Sequence, residues 1–171
     1  SKGGYKWVDN NISKGFITTA KIVIDIRPED LKVKPLPKKS FRADFQFKDV
    51  NANYLNPMPF IERASGYGNV SSNYLEVNIE KGRSFDIDFG NSVFKIENMA
   101  SRENRFGRVH LNTRSRIRKA LQFVNHKPLS LATKFGIDPM SVLGDISITA
   151  NLGFPIIKGI SLNNININAD A

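Results

Sequence analysis

The residues of this 171-residue chain whose type and spacing best suit acid–base or metal chemistry are two histidines and one pair of aspartates. His110 lies in a predicted strand, and His126 lies near a helix end, where it can interact with the dipole. They share no HxxxH or HxH spacing, so they make a poor metal site. Asp86 and Asp88 are predicted on one strand face and could form an acid–base pair, but water-exposed strand faces carry such pairs routinely. We expect no enzyme, no catalytic residue, no metal and no cofactor.

Other catalytic signatures are missing from the sequence. It contains no GxSxG motif, and the "GYGN" around Gly66 lacks the following helix of a phosphate-binding loop, so we interpret it as a bend. Cysteine is absent, which excludes disulfides, cysteine metal sites and a cysteine nucleophile.

A basic segment between Arg102 and Lys119 holds seven basic residues against one acidic residue, in a chain of formal charge +9. Nucleic acid or anionic lipid headgroups could use it, and a solvated surface is the plain alternative. Nucleic acid is the unlikely partner, because the aromatic residues are not interleaved with the arginines as stacking platforms. The candidates for headgroup contact are Arg105, Arg108, Arg114 and Arg118.

These residues must be positioned by strands, because most of the chain alternates between apolar and polar residues. We predict strands mostly over 15–113 and 144–171, with turns at Lys81–Gly82 and at "GNS" (90–92). A helical region is predicted over about 114–136. Its first helix begins at an N-cap, Ser115, and its second ends at Gly136.

Strands joined by short turns form an antiparallel sheet with one apolar face. That face needs a cover of helices, of another sheet or of a non-protein ligand, and two short helices look too small. The residues alone favour a closed sandwich or barrel over an open groove. The candidate lipid-facing residues, which could equally be ordinary core, are Phe45, Phe47, Leu75, Val77, Ile79, Phe85, Ile87, Phe89, Ile146 and Ile148.

Four stretches occur in an order that resembles one known family. They are "WVDNNISKGFITTAKIVIDI", "FQFKDVNANYLNPMPFIERASGYGNV", "YLEVNIEKG" and "HKPLSLATKFGIDPMSVLGDISITANLGFPIIKGISLNNINI". Together they resemble the large AsmA-like envelope proteins of the YhdP type, and the last stretch is the most specific. The resemblance covers almost the whole chain.

The resemblance implies a mainly β fold with a curved, groove-like or partly closed antiparallel sheet. Residues 1–171 would be one segment of a longer AsmA-like repeat protein, periplasmic and anchored in the inner membrane of a Gram-negative bacterium. It would support phospholipid transport and outer-membrane integrity. The implied partners are phospholipid or another lipid, neighbouring segments of the same chain, and membrane or envelope proteins. The alternative is a structural or assembly module that binds a partner protein through its sheet edges.

Overall fold

One antiparallel sheet of eight strands forms the fold, and its strands lie side by side in chain order. The computed structural model describes residues 8–33, 36–37, 40–54, 58–101, 103–127, 129–157 and 162–171. Within them β1 pairs with β2 and not with β8, so the sheet is unclosed. The mainly β, antiparallel prediction is confirmed, and the closed sandwich or barrel that the residues alone favour is wrong. The strands are β1 Ile12–Ile24, β2 Phe41–Ala52, β3 Ile61–Ser71, β4 Tyr74–Ser84, β5 Ile87–Glu97, β6 Phe106–Arg116, β7 Asp145–Pro155 and β8 Asn166–Asp170.

The helices are short and lie mostly between β6 and β7. Residues 8–11, just before β1, are helical. The helices between β6 and β7 are α1, Ile117–Val124, and α2, Leu131–Lys134, and 3₁₀ turns lie at Asp30–Lys32, Pro139–Ser141 and Leu162–Asn164. Among the helices described, none combines the length and apolar content that crossing a bilayer requires. Several residues of the sequence predictions, Trp7, Leu55–Pro57, Arg102 and Pro128, lie outside the described residues.

Strand register places apolar side chains in one line across all eight strands. Residues directly opposite each other in an antiparallel pair project from the same face of a sheet. We call this line the apolar row and its side of the sheet the apolar face. The apolar row consists of Ala20, Phe45, Gly68, Val77, Phe94, Val109, Leu152 and Ile167.

The opposite side, the polar face, carries hydrogen-bonding and charged side chains in the same register. Cross-strand ion pairs join Lys95 to Glu76 at 2.8 Å and Arg108 to Glu97 at 3.3 Å. One line across this face consists of Thr19, Gln46, Tyr67, Asn78, Val93, His110, Asn151 and Asn168. The two faces therefore differ in chemistry along their whole width.

Helix α1 packs at one end of the sheet. The ring of Phe123 lies 6.4 Å from that of Phe89, edge to face, and Ala120 is buried. Helix α1 also contacts β6, β7, α2 and the 139–141 turn. The short helices between β6 and β7 thus cover one corner of the apolar face.

Three predictions of turns or bends are wrong, because the residues concerned lie inside strands. "GYGN" is not a bend, since Gly66 lies inside β3. "GNS" is not a turn, since it lies inside β5, where Asn91 adopts a φ of 48° and the register with β6 shifts by a bulge. The predicted turn at Lys81–Gly82 is also strand, and the hairpin turns instead at Phe85 and Asp86, both with positive φ.

The helix boundaries also differ from the prediction. Ser115 is not the N-cap, because β6 continues to Arg116 and α1 starts at the next residue with no side-chain cap. The helical region therefore begins slightly later than residue 114. Gly136 follows α2 with a φ of 66°, which matches the predicted helix end.

Candidate functional site

The apolar face is only partly shielded from water. The inner members of the apolar row are half-buried except Gly68, which is buried, whereas its ends, Ala20 and Ile167, are exposed. Among the described residues, the side chains exposed by 2 % or less belong to Ser40, Ser84, Ser92 and Ala132, all of them small. No large apolar side chain in that part of the chain reaches this degree of burial. The apolar face is therefore the principal candidate site.

The predicted residues of β2 and β4 come together on this face. Phe45 and Val77 belong to the apolar row, separated by Gly68. Leu75 and Ile79 stand two positions on either side of Val77 and are half-buried. Phe47 is on the same face but only 8 % exposed, with its ring 6.3 Å from that of Phe45.

The predicted residues of β5 have a different environment. Ile87 and Phe89 are 4 % and 6 % exposed, so they form the core beneath the helical corner. Phe85 is not in a strand. It lies in the β4–β5 turn with its ring 4.9 Å from the His126 ring. Ile87 and Phe89 support the fold and offer little surface to a ligand, whereas Phe85 is 37 % exposed in the turn, away from the strands of the apolar face.

The two candidates on β7 extend the apolar face towards the helices. Ile146 lies opposite Ser115 and Ile148 opposite Thr113. Both isoleucines are half-buried. They share the face of Leu152 because alternate residues of a strand point the same way.

Six residues of the apolar row are absent from the predicted site, and four of them have large side chains: Phe94, Val109, Leu152 and Ile167. Their signal is visible in the alternation of "VFKIENM", "RVHLNT", "DISITANLGF" and "NININ". Register is what joins them into one surface, and a single strand pattern does not contain register.

The predicted arginines do not form one cluster. Arg105 donates its Nε–H to the Ser101 carbonyl at 2.9 Å, beside the β5–β6 connection. Arg108 projects from the polar face, pairs with Glu97 and lies 5.0 Å from the centre of the Phe106 ring. Both are engaged by the protein itself.

Arg114 and Arg118 lie towards the other end of β6. Arg114 lies opposite Asp88 and lines a cleft with Arg83, Arg116 and Asp145. Arg118 donates from Nη2 to the Met140 carbonyl at 3.3 Å. About 20 Å of strand separates Arg108 from Arg114 at ~3.4 Å per residue, so one headgroup cannot touch both.

The aspartate pair is neutralised by cations. Asp86 lies 3.2 Å from both Arg83 Nη2 and Lys119 Nζ, and Asp88 Oδ1 lies 3.7 Å from Arg83 Nε. Asp86 belongs to the hairpin turn, so the prediction that both aspartates share one strand face is wrong. Their arrangement is that of an ion-pair network.

Both histidines are held by hydrogen bonds. His126 Nδ1 donates to the Gln122 carbonyl at 2.9 Å, at the end of α1. His110 Nδ1 lies 2.8 Å from Asn151 Oδ1, and its Nε2 lies 3.2 Å from Asn112 Nδ2. Within the described ranges, no group of three histidine or acidic residues could hold a metal ion.

Glu76 is the most strongly perturbed acid on the polar face. Its carboxylate accepts hydrogen bonds from Lys95 Nζ at 2.8 Å, from the Tyr74 hydroxyl and from Asn78 Nδ2 at 3.1 Å. These donors, Lys95 foremost, lower the pKa of Glu76 to about 2. The group ties three positions of β4 to β5 and is structural in character.

Comparison with known proteins adds no relative. No family model, curated protein or solved structure matches the chain. The resemblance to AsmA-like envelope proteins therefore stays a prediction from the residues.

Proposed function

We propose that the chain is a non-enzymatic lipid-binding segment whose apolar face holds acyl chains, as part of lipid passage in a periplasmic, membrane-anchored AsmA-like protein. The observation that carries this proposal is the apolar row, which crosses all eight strands, while the described helices α1 and α2 pack at one corner of the sheet. Acyl chains are long and uniformly apolar, and a continuous strip without internal charges suits them. Phospholipid is the expected ligand.

The accessible surface of the chain is larger than that of a compact monomer of the same mass, which supports a ligand that covers the apolar face. The accessible surface is 11610 Å² for a mass of 19.2 kDa. A compact monomer of that mass exposes roughly 8,400 Å². Covering apolar area with acyl chains is favourable by about 25 cal/mol for each Å² removed from water. The driving force is passive and needs no catalytic group.

A matched pair of valines tests the proposal. Val77 belongs to the apolar row, whereas Val93 lies on the polar face of the neighbouring strand, and both are half-buried. Phospholipid extracted from the purified protein should fall severalfold in Val77→Asp and stay unchanged in Val93→Asp. Thermal unfolding by circular dichroism checks that both variants fold.

Photocrosslinking gives an independent readout. Benzoylphenylalanine at position 94 should crosslink to phospholipid, whereas the same group at Tyr67, which is 48 % exposed on the polar face, should not. Wild-type protein without extractable phospholipid and without crosslinks at position 94 would remove the basis of the proposal.

The second candidate function is assembly through a sheet edge, and β1 is the observation that favours it. This strand is thirteen residues long, every one of them exposed, and it pairs on one side only within the described chain. Such an edge is a template for another strand.

Light scattering tests association through β1. The mean mass of the wild-type protein should rise with protein concentration, and the mean mass of Ile22→Lys should not. A monomer at every concentration would count against self-assembly through β1.

A further inference from the structure

The segment 135–143, which connects α2 to the region before β7, exposes four large apolar side chains. Leu143 is 85 % exposed, Phe135 75 %, Met140 58 % and Ile137 42 %. We call this segment the tip loop. Isolated exposed apolar residues are ordinary, but four within nine residues form a patch of the kind that marks an interaction site.

The tip loop is held in shape from within. Asp138 accepts a hydrogen bond from Met140 N at 2.9 Å, and Ser141 Oγ donates to the Asp138 carbonyl at 2.7 Å. Ile137 N donates to the Ala132 carbonyl at 2.9 Å. The exposed side chains therefore project from an ordered scaffold.

Helix α1 fixes the tip loop to the end of the sheet. Arg118 Nη2 donates to the Met140 carbonyl at 3.3 Å, and Ile117 N donates to the Gly144 carbonyl at 2.9 Å. Asn125 Oδ1 accepts from both N and Oγ1 of Thr133, each at 2.9 Å. Hydrogen bonds to α1 thus hold both the patch and the residue before β7.

Basic residues outnumber acidic ones in the part of the chain that contains the tip loop. Residues 114–145 contain six basic and two acidic residues, and of the six, Lys119 pairs with Asp86 and Arg114 lies opposite Asp88. Lys127 and Lys134 are exposed, and neither pairs with a carboxylate in the part of the chain that the structure describes. Asp138, one of the two acids, faces the loop's own amide. An occupant of this surface should be apolar where it meets the loop and anionic around it.

The patch presents a substantial apolar area. At roughly 200 Å² for a fully exposed large side chain, its four apolar residues present on the order of 500 Å². A bilayer needs no matching shape, because apolar side chains enter it individually while cations meet its headgroups.

We infer that the tip loop docks this end of the sheet onto an anionic lipid bilayer, with Phe135, Met140 and Leu143 entering the interface. The inference stands apart from acyl-chain binding on the apolar face, since it uses different residues. If both hold, Ile146 and Ile148 bring the apolar face directly to the membrane surface, because β7 starts two residues after Leu143.

Vesicle sedimentation with the full chain tests the inference. Vesicles of phosphatidylglycerol and phosphatidylcholine should bind the protein at low salt, and pure phosphatidylcholine should bind it at least tenfold more weakly. Phe135→Ser with Leu143→Ser should weaken binding at least tenfold, and Lys127→Glu with Lys134→Glu should weaken binding to the anionic vesicles severalfold. Leu31→Ser is the matched control, since Leu31 is 66 % exposed in the β1–β2 connection at the opposite end of the sheet, and it should change nothing.

The absence of native cysteine allows a second readout. A polarity-sensitive dye on Leu143→Cys should shift to the blue with anionic vesicles, and a dye on Leu31→Cys should not. The inference is overturned if wild type and the Phe135→Ser, Leu143→Ser variant bind the vesicles equally. It is also overturned if position 143 crosslinks to protein and no binding to vesicles is observed. Phospholipid extracted with the loop variant should equal that of wild type, which separates this test from that of the apolar face.

Discussion

Phe45 on β2 lies directly opposite Gly68 on β3, and its ring fills the space that a larger side chain on Gly68 would need. A Cβ at Gly68 would lie 2.5 Å from Phe45 Cζ and 2.7 Å from the Glu76 carbonyl oxygen. The same relationship recurs between Gly107 and Phe154, where the closest approach would be 2.7 Å. Aromatic rings over glycine thus let bulky side chains fit within the apolar face.

Gly68→Val should lower the free energy of unfolding by about 2 kcal/mol, because one of the two clashes is with main chain that cannot move aside. The control is Gly90→Ala, whose Cβ would meet nothing closer than 3.7 Å, and its effect should stay within about 0.5 kcal/mol. Urea unfolding monitored by circular dichroism measures both. Equal stability of Gly68→Val and wild type would mean that the Phe45 ring is not seated over β3.

The Glu76 network makes stability depend on acid pH. Its folded pKa of about 2 lies below the unfolded value, ~4.3. The stabilisation is therefore complete above the unfolded pKa and is lost as pH falls through about 2. Glu76→Gln should be less stable than wild type by up to ~1 kcal/mol at pH 7, and the difference should shrink between pH 5 and pH 2. Glu80→Gln, on the same strand but without an ion pair among the described residues, should show no such trend.

Phe123 couples α1 to the sheet through Phe89. Phe123→Ala should lower the free energy of unfolding by about 2 kcal/mol, somewhat less than a fully buried phenylalanine, because the side chain is half-buried. Phe135→Ala, on a side chain that is 75 % exposed, should cost less than ~0.5 kcal/mol. Thermal unfolding followed at 222 nm compares the two, and an equal effect would contradict the packing of α1 on β5.

Ser92 repairs the hydrogen-bond ladder at the β5 bulge. It is 2 % exposed, and its Oγ accepts from Asn112 N at 3.0 Å, where the register shift removes a main-chain acceptor. Ser92→Ala leaves that amide without a partner and should lower the free energy of unfolding by about 1–3 kcal/mol. Amide exchange at Asn112 should speed up as well. Ser147→Ala, at an exposed position of β7, should change neither quantity.

The sequence predicts where most of the strands lie but not every strand. β3 escapes prediction because its centre, "ASGYG", lacks the apolar residues that mark a half-buried strand. Its glycines are there because Phe45 and the β4 main chain occupy the space of their side chains. β5 is divided in two by "GNS", because Gly and Asn suggest a turn and here form a bulge.

The candidate site follows from alternation only in part. The face on which Val77 lies is predictable from the pattern of β4 alone. The burial of Ile87 and Phe89 beneath the helical corner is not predictable from the strand pattern, because it depends on where α1 packs against the sheet. The scatter of the arginines likewise follows from register and from the path of the chain after Arg116.

The chain-order arrangement of the strands has a kinetic consequence. Every strand pairs with the next strand along the chain, so the tight β3–β4 and β4–β5 hairpins close short loops and carry a small entropic penalty, whereas β6 and β7 must close a loop of residues 117–144. We expect the sheet to grow hairpin by hairpin, in either direction from its tight turns. The chain can then acquire structure while the ribosome is still adding its last strands, and a lesion in one hairpin leaves those already formed in place.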